Sequence, residues 1–221
     1  MSEIGFVLPE GDGGHRVSYK AFEAMLRLAA GGNRALPRAG TETYEEFIAI
    51  LYEDFDEILG DLEKRKKYFS ESSEDQISDA IISDLRRFGY AAHHDKDSNG
   101  HVDITVECKH KPAFIWLGEA KIDRGPANSY GGLLQLTTRY SSASKNSDHG
   151  GMLIYVLDYD NAAGRLTQWA EYLTNDHSIV CDMNDGGRPG LAFRTAEIHK
   201  GTGLPYRIRH MVLHLRHAPE K

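Results

Sequence analysis

The feature that most constrains this chain is a set of charges placed inside two successive apolar runs, Val102-Asp103-Ile104-Thr105-Val106 and Phe114-Ile115-Trp116-Leu117-Gly118-Glu119-Ala120-Lys121-Ile122. Short runs rich in β-branched and aromatic residues read as strands with at least one buried face. A carboxylate or ammonium in such a strand is costly unless it is matched. The match can come from a neighbouring charge on a half-exposed sheet, or from a bound ion.

Strand parity puts Val102, Ile104, Val106 and Cys108 on one face and Asp103, Thr105, Glu107 and Lys109 on the other. In the second run Ile115, Leu117, Glu119 and Lys121 fall together. A hairpin turning symmetrically about Lys111 sets Asp103 opposite Glu119, with Cβ atoms roughly 5 Å apart. Two carboxylates so placed repel. A divalent cation such as Mg²⁺ or Mn²⁺, which takes hard oxygen ligands, removes that repulsion. Lys121, one pleat further on, can then reach a water or a phosphate oxygen, an arrangement suited to phosphodiester hydrolysis. Glu107-Cys108-Lys109 is a rival acid-x-Lys tripeptide, but its lysine borders the turn Lys109-His110-Lys111-Pro112 and would face solvent. The Glu119 register is preferred.

Helical spacing and caps organise the rest. Thr43 and Glu46 form a capping box ahead of an apolar stripe from Tyr44 to Leu62, whose other face is acidic. That face is expected to be solvated or to bind a partner protein. Ser73 and Gln76 open a second helix, with Gly89 as its stop. A strand at 90–94, a turn at 97–100, the two strands at 102–109 and 113–122, a helix at 130–142 and a buried strand at 152–157 follow. The order over 73–158 is therefore α-β-β-β-α-β. A helix at 163–173, a short strand at 179–182 and a hairpin of strands at 191–198 and 206–215 complete the chain, and a further short helix is expected at 19–30. Residues 1–70 read as a helical N-terminal extension and 71–221 as the main domain.

Composition narrows the class. The chain has 221 residues, 40% hydrophobic and 27% charged, which is ordinary for a globular protein. It has no apolar run long enough for a transmembrane helix and no signal-like start, so no membrane association is expected. With only Cys108 and Cys181, no disulfide framework or zinc ribbon is supported, and a reducing cytoplasm is expected. The net charge of −7 argues against a protein that coats nucleic acid, yet leaves room for a local basic groove. The segment 198–219 has no acid and carries Lys200, Arg207, Arg209 and Arg216, either phosphate contacts or the solvated parts of a sheet.

Asp103 followed by Glu119-x-Lys121 on an apolar hairpin, preceded by a helix with an acid at its start, resembles the PD-(D/E)xK nuclease superfamily. Val102 stands where the motif name has proline. The resemblance covers about residues 73–158. It implies a restriction-endonuclease-like α/β fold with an αβββαβ core, a mixed sheet, the N-terminal helical extension and the C-terminal β-hairpin. It also implies Mg²⁺ (or Mn²⁺) held by Asp103, Glu119 and the Ala120 carbonyl, with Lys121 assisting water activation. Glu74 matches the glutamate that many members supply from the first helix, with Asp75 and Asp79 as substitutes. Gln135 matches a later motif that orients the site or contacts DNA. The expected function is metal-dependent cleavage of nucleic acid, DNA first, in restriction, repair or anti-phage defence. A homodimer, or a partner protein gripping the acidic helix at 43–62, is compatible with it. The alternative is a non-catalytic nucleic-acid-binding or assembly subunit that keeps the fold.

Overall fold

Thr43 and Ser73 begin two helices for the same physical reason. Each side-chain oxygen accepts the N–H three residues on, from Glu46 and Gln76, whose own side chains accept the cap residue's N–H. In the computed structural model, residues 18, 20–22, 24–25, 35–95 and 102–219 are described. Helix α1 (Ala35–Ala39) leads into α2 (Tyr44–Lys64), and α3 (Glu74–Phe88) ends on Gly89 in the left-handed conformation, φ 103°. Of the helix expected at 19–30, residues 20–22 and 24–25 are helical and the others lie outside the described residues, as does the turn at 97–100.

Six strands form one mixed, open sheet in the order β1-β2-β3-β4-β6-β5: β1 (Ala91–Asp95), β2 (Val102–Cys108), β3 (Lys111–Ile122), β4 (His149–Val156), β5 (Ala192–Ile198) and β6 (Pro205–His214). β1, β2 and β3 run antiparallel, β3–β4 and β4–β6 are parallel, and β5 returns antiparallel on β6. Parallel neighbours need a crossover. Helix α4 (Pro126–Gln135) supplies the first, and α5 (Ala162–His177) with β5 the second. Helices α2 and α3 share a core with one sheet face, around Leu51, Phe55, Ile81, Trp116 and Tyr155. Helices α4 and α5 share the other, around Leu133, Leu166, Trp169, Ile154 and Phe193. Thus the helix of the expected N-terminal extension is built into the same core as the sheet.

Several boundaries differ from those the sequence predicts. The β2–β3 turn is not symmetric about Lys111. Cys108 pairs with Lys111 across Lys109 and His110, and a bulge restores the register Glu107–Ile115. The helix expected at 130–142 starts at Pro126, whose missing N–H suits a first turn, and widens at Leu136–Tyr140 into a π-turn closed by Ser141 N–H donating to Leu136 O. Thr137 and Thr138 hydroxyls donate to the carbonyls four residues back in this stretch, a competition that loosens a helix. The strand expected at 179–182 is reduced to one bridge between Asp182 and Arg194. Val102 packs on the α4/α5 side, not with Ile104 and Val106, because the β1–β2 register shifts between His93 and Asp95.

Two glycines decide how the centre of the sheet packs. Gly118 on β3 and Gly151 on β4 are register partners, and the buried Trp116 ring lies across both. A Cβ at Gly118 would stand 2.6 Å from Trp116 Cη2, and one at Gly151 would overlap Cζ2. Gly151→Ala is therefore expected to cost about 1–3 kcal/mol through overpacking, read as a lower urea midpoint with an unchanged m-value.

His210, wholly buried on β6, accepts at Nδ1 from Trp169 Nε1, 3.1 Å. Indole nitrogen can only donate, so the ring is the neutral Nε2–H tautomer and donates to Thr195 Oγ1 at 3.0 Å. Burial pushes its pKa from 6.5 down to about 3. An unfolded chain takes the proton first, so stability is full above pH 6.5 and falls as pH drops towards 3. His210→Asn should flatten that fall by up to ~1.4 kcal/mol per pH unit, measured by urea unfolding of both proteins at successive pH values.

Candidate metal centre

The candidate site stands where the β2–β3 ladder ends. The last rung on that side is Ile104–Gly118. The register then points Asp103 at Glu119, as expected, but no further rung forms. Instead, the Asp103 carboxylate accepts the Ala120 backbone N–H at 2.8 Å. A side chain thus replaces a backbone acceptor, and the acid is drawn against β3.

Glu119 and Lys121 project from β3 towards α4. Lys121 Nζ donates to Glu119 Oε1 at 2.6 Å and to the Ala120 carbonyl at 2.9 Å, and lies 3.8 Å from Asp103 Oδ2. Glu74, at the first position of α3, brings Oε1 to 3.5 Å from the same ammonium, and its Oε2 accepts the Ile122 N–H at 2.8 Å. The structure thereby joins Asp103, Glu119, Lys121, Glu74 and the Ala120 carbonyl around one point. Of the possible substitutes for Glu74, Asp79 instead meets His94 Nε2 at 2.9 Å.

Three carboxylates surround one ammonium, and the electrostatics follow. Burial, reinforced by the Asp103 charge, pushes Glu119 up to about 7 against the opposing Lys121 contact. Burial likewise raises Asp103, although the Ala120 amide and Lys121 pull the other way. Burial works to lower Lys121, but the hydrogen bond and charge of Glu119, then Asp103 and Glu74, outweigh it and hold the lysine above its ordinary range. Glu119 is 1% exposed, and its Oε2 has no hydrogen-bond partner.

That orphaned oxygen and the donor chemistry form the test for a cation. Carboxylate and carbonyl oxygens are the ligands that Mg²⁺ and Mn²⁺ take. Those of Glu119, Asp103, Glu74 and Ala120 already gather about a positive centre, the Lys121 ammonium. The residues fit such an ion if Lys121 swings aside. As they stand they close on the ammonium: among the described residues no three His, Cys, Asp or Glu side chains form a ready metal-binding group.

Gln135 is half-buried at the end of α4 and makes no hydrogen bond to the cluster among the described residues. Gly132, one turn earlier, packs directly against the site. A Cβ there would lie 3.1 Å from Glu119 Cγ and from Lys121 Cε. Nothing in the sequence singles out Gly132, since a glycine within a helix signals close packing only once its neighbour is known. The same holds for Asp123, just beyond β3. Arg165 from α5 donates to both of its oxygens, at 2.5 and 2.9 Å, and ties the end of β3 to that helix. An open cleft of about 480 Å³ borders Glu74, Lys121, Arg124 and Asn128.

The basic segment 198–219 is not at this site. Arg207 and Arg209 line a larger cleft of about 680 Å³ between α2 and the β5–β6 strands. Arg209, 1% exposed, is held by Asp185 at 2.7 and 2.8 Å and lies 2.8 Å from Asp56, while Arg207 pairs with Asp148 at 2.5 Å. Burial works to raise Asp185, yet the Arg209 hydrogen bonds and charge, with the Arg188 amide, bring it down to about 2. Part of the acidic face of α2 is likewise consumed within the fold: Asp54 binds Arg38, and Glu63 binds Arg188.

Among the described residues no helix is long and apolar enough to cross a membrane. Comparison of the chain with protein-family models, with curated proteins and with solved structures finds no match.

The charge crowding carries a stability consequence. Glu119 holds its proton more tightly folded than unfolded, so its contribution to stability is full below pH 4.5 and is lost as pH rises through about 7. Glu119→Gln removes that loss. The variant is expected to exceed the parent by on the order of 1–3 kcal/mol at pH 8 and to lose the advantage at low pH, read by chemical unfolding at both. An advantage that does not change with pH would show that the carboxylate is not strained by its charge.

Proposed function

We propose that this chain is a metal-dependent nuclease that hydrolyses phosphodiester bonds, with DNA as its substrate. The observation that carries the reading is the convergence of Asp103, Glu119, Lys121, Glu74 and the Ala120 carbonyl at the open end of the β2–β3 hairpin. The resemblance to the PD-(D/E)xK superfamily agrees with it. So does the order α3-β1-β2-β3-α4-β4, with an antiparallel β1–β2–β3 meander beside a parallel β4, as in a restriction-endonuclease-like core.

Asp103, Glu119 and the Ala120 carbonyl would hold Mg²⁺ or Mn²⁺, with Glu74 as a further ligand. Such an ion supplies Lewis-acid polarisation of the phosphoryl group and lowers the pKa of water. The chain's own residues do the rest. The Ala120 amide fixes one Asp103 oxygen, and the Ile122 amide fixes one of Glu74, so both acids are oriented before substrate arrives. Gly132 leaves room for Glu119 and Lys121 side by side beneath α4. Once released from Glu119, Lys121 would hydrogen-bond the attacking water and stabilise negative charge on the phosphate as the P–O ester bond breaks. In the hydrolysis, water provides the hydroxyl of one product and the proton of the other. Gln135, on the same helix, is proposed to orient the water or contact DNA.

A second reading has an observation of its own: the Lys121 ammonium already sits among the carboxylates and offsets part of their charge. On that reading the chain is a nucleic-acid-binding or assembly subunit without catalysis. Two measurements separate them. Asp103→Asn and Lys121→Ala should each lower Mg²⁺-dependent cleavage of plasmid or oligonucleotide DNA by at least about a hundredfold, with the circular dichroism spectrum kept. Mn²⁺ should bind the parent and not the Asp103→Asn variant. A folded parent that neither cuts nor binds Mn²⁺ favours the non-catalytic reading.

A further inference from the structure

A carboxylate-rich site repels the polyanion it is meant to cut, so a nuclease needs a cation beside it that the fold has not already used. Cations are scarce in a chain of net charge −7. Most arginines are consumed internally: Arg38 by Asp54, Arg165 by Asp123, Arg188 by Glu63, Arg207 by Asp148 and Arg209 by Asp185. The remaining described arginines also lie against a carboxylate or donate to a backbone carbonyl, with two exceptions. Arg124 and Arg139 have no partner among the described residues. Of these, Arg124 lines the cleft beside Glu74 and Lys121.

Its backbone is fixed while its side chain is exposed. Asp123, directly before it, is 7% exposed, carries both Arg165 hydrogen bonds and accepts the Gly125 N–H at 3.1 Å. On the other side, Asn128 Nδ2 donates to the Ile122 carbonyl at 3.3 Å. Helix α4 starts two residues later with no side-chain cap on Gly125. Glu74 and Asp75, which share the cleft, lie beyond ion-pair distance of the guanidinium. A planar fork of donors, planted on a rigid turn and left unpaired, matches the oxygens of a phosphate.

We propose that Arg124 is a phosphate anchor that holds the nucleic-acid backbone in the cleft beside Glu74 and Lys121, with Asp123–Arg165 as the clamp that aims it. The assignment rests on the nuclease reading of Asp103, Glu119 and Lys121, and it names the group by which that site would hold its substrate.

The test measures binding of a short fluorescent DNA duplex to the full chain in EDTA, over about 50–200 mM salt, so that no cleavage is needed. Arg124→Ala should weaken binding about five- to tenfold and reduce the slope of log affinity against log salt by about one. Arg124→Lys should keep the slope and recover part of the affinity, because the charge remains and the fork is lost. Arg207→Ala, whose arginine is paired with Asp148 at the far end of β6, should change neither. Parental affinity and slope in Arg124→Ala would overturn the proposal, as would the loss appearing in Arg207→Ala instead. Mn²⁺ titration separates the two levels. Unchanged Mn²⁺ binding with weakened DNA binding in Arg124→Ala supports both, whereas a parent that binds DNA through Arg124 but takes no Mn²⁺ overturns the metal reading alone. A parent with no affinity for DNA overturns both.

Discussion

The contact of Lys121 Nζ with Glu119 Oε1, 2.6 Å long at the end of a central strand, is what allows this protein to carry its most costly feature. Glu119 is 1% exposed, and Asp103 and Glu74 stand close enough to raise its affinity for a proton. An isolated carboxylate there would be driven to neutrality by desolvation. The ammonium removes part of that penalty, and the Ala120 and Ile122 amides stabilise the two neighbouring acids by binding one oxygen each of Asp103 and Glu74. The balance is still incomplete, with three acids around one base and one Glu119 oxygen without a partner. On the proposed nuclease reading, that uncompensated charge is what a bound cation would neutralise, the pattern expected where function and stability compete.

Charge is handled differently at the other end of the sheet. Asp185, Asp56 and Arg209 form a compact cluster between α2 and β6, and Asp148 takes Arg207. These pairs hold elements together: Arg209 also donates to the Tyr52 carbonyl and lies over the Tyr52 ring. The contrast between a closed set of pairs and an acid-rich cluster next to an unpaired Arg124 separates scaffold from candidate site more clearly than cleft volume does. The larger cleft borders the closed pairs.

How much could be read in advance depended on whether the signal was local. The Thr43 and Ser73 capping boxes, the Gly89 stop and the parity of Glu119 and Lys121 are determined within a few residues, and they were legible. Element ends were harder. The hairpin tip closes on Lys109 and His110 with a bulge beyond it, and the stretch around Thr137 and Thr138 widens into a π-turn, because hydrogen bonds there compete at similar energies. Residues whose importance lies in a distant partner could not be read at all. Gly132 looks like a defect in a helix until Glu119 lies beneath it, and Gly151 signals nothing until Trp116 crosses it.

The sequence by itself determined the order of helices and strands over 73–158, the face of β3 on which Glu119 and Lys121 would fall, and the hard, oxygen-rich character of the carboxylate donors, since these follow from period, caps and residue type. Tertiary structure alone decided that the ladder stops at Ile104–Gly118, so that the carboxylate of Asp103 binds the Ala120 amide directly, and that α3 delivers Glu74 to the same point. It also decided which arginines are spent: the basic run at 198–219 reads equally as phosphate contacts or as solvated sheet, but Arg207 and Arg209 lie within reach of acids and Arg124 does not. Charge in a sequence counts residues, whereas the charge available to a ligand is what remains after the fold has paired them, and that pairing is set by distances no linear pattern contains.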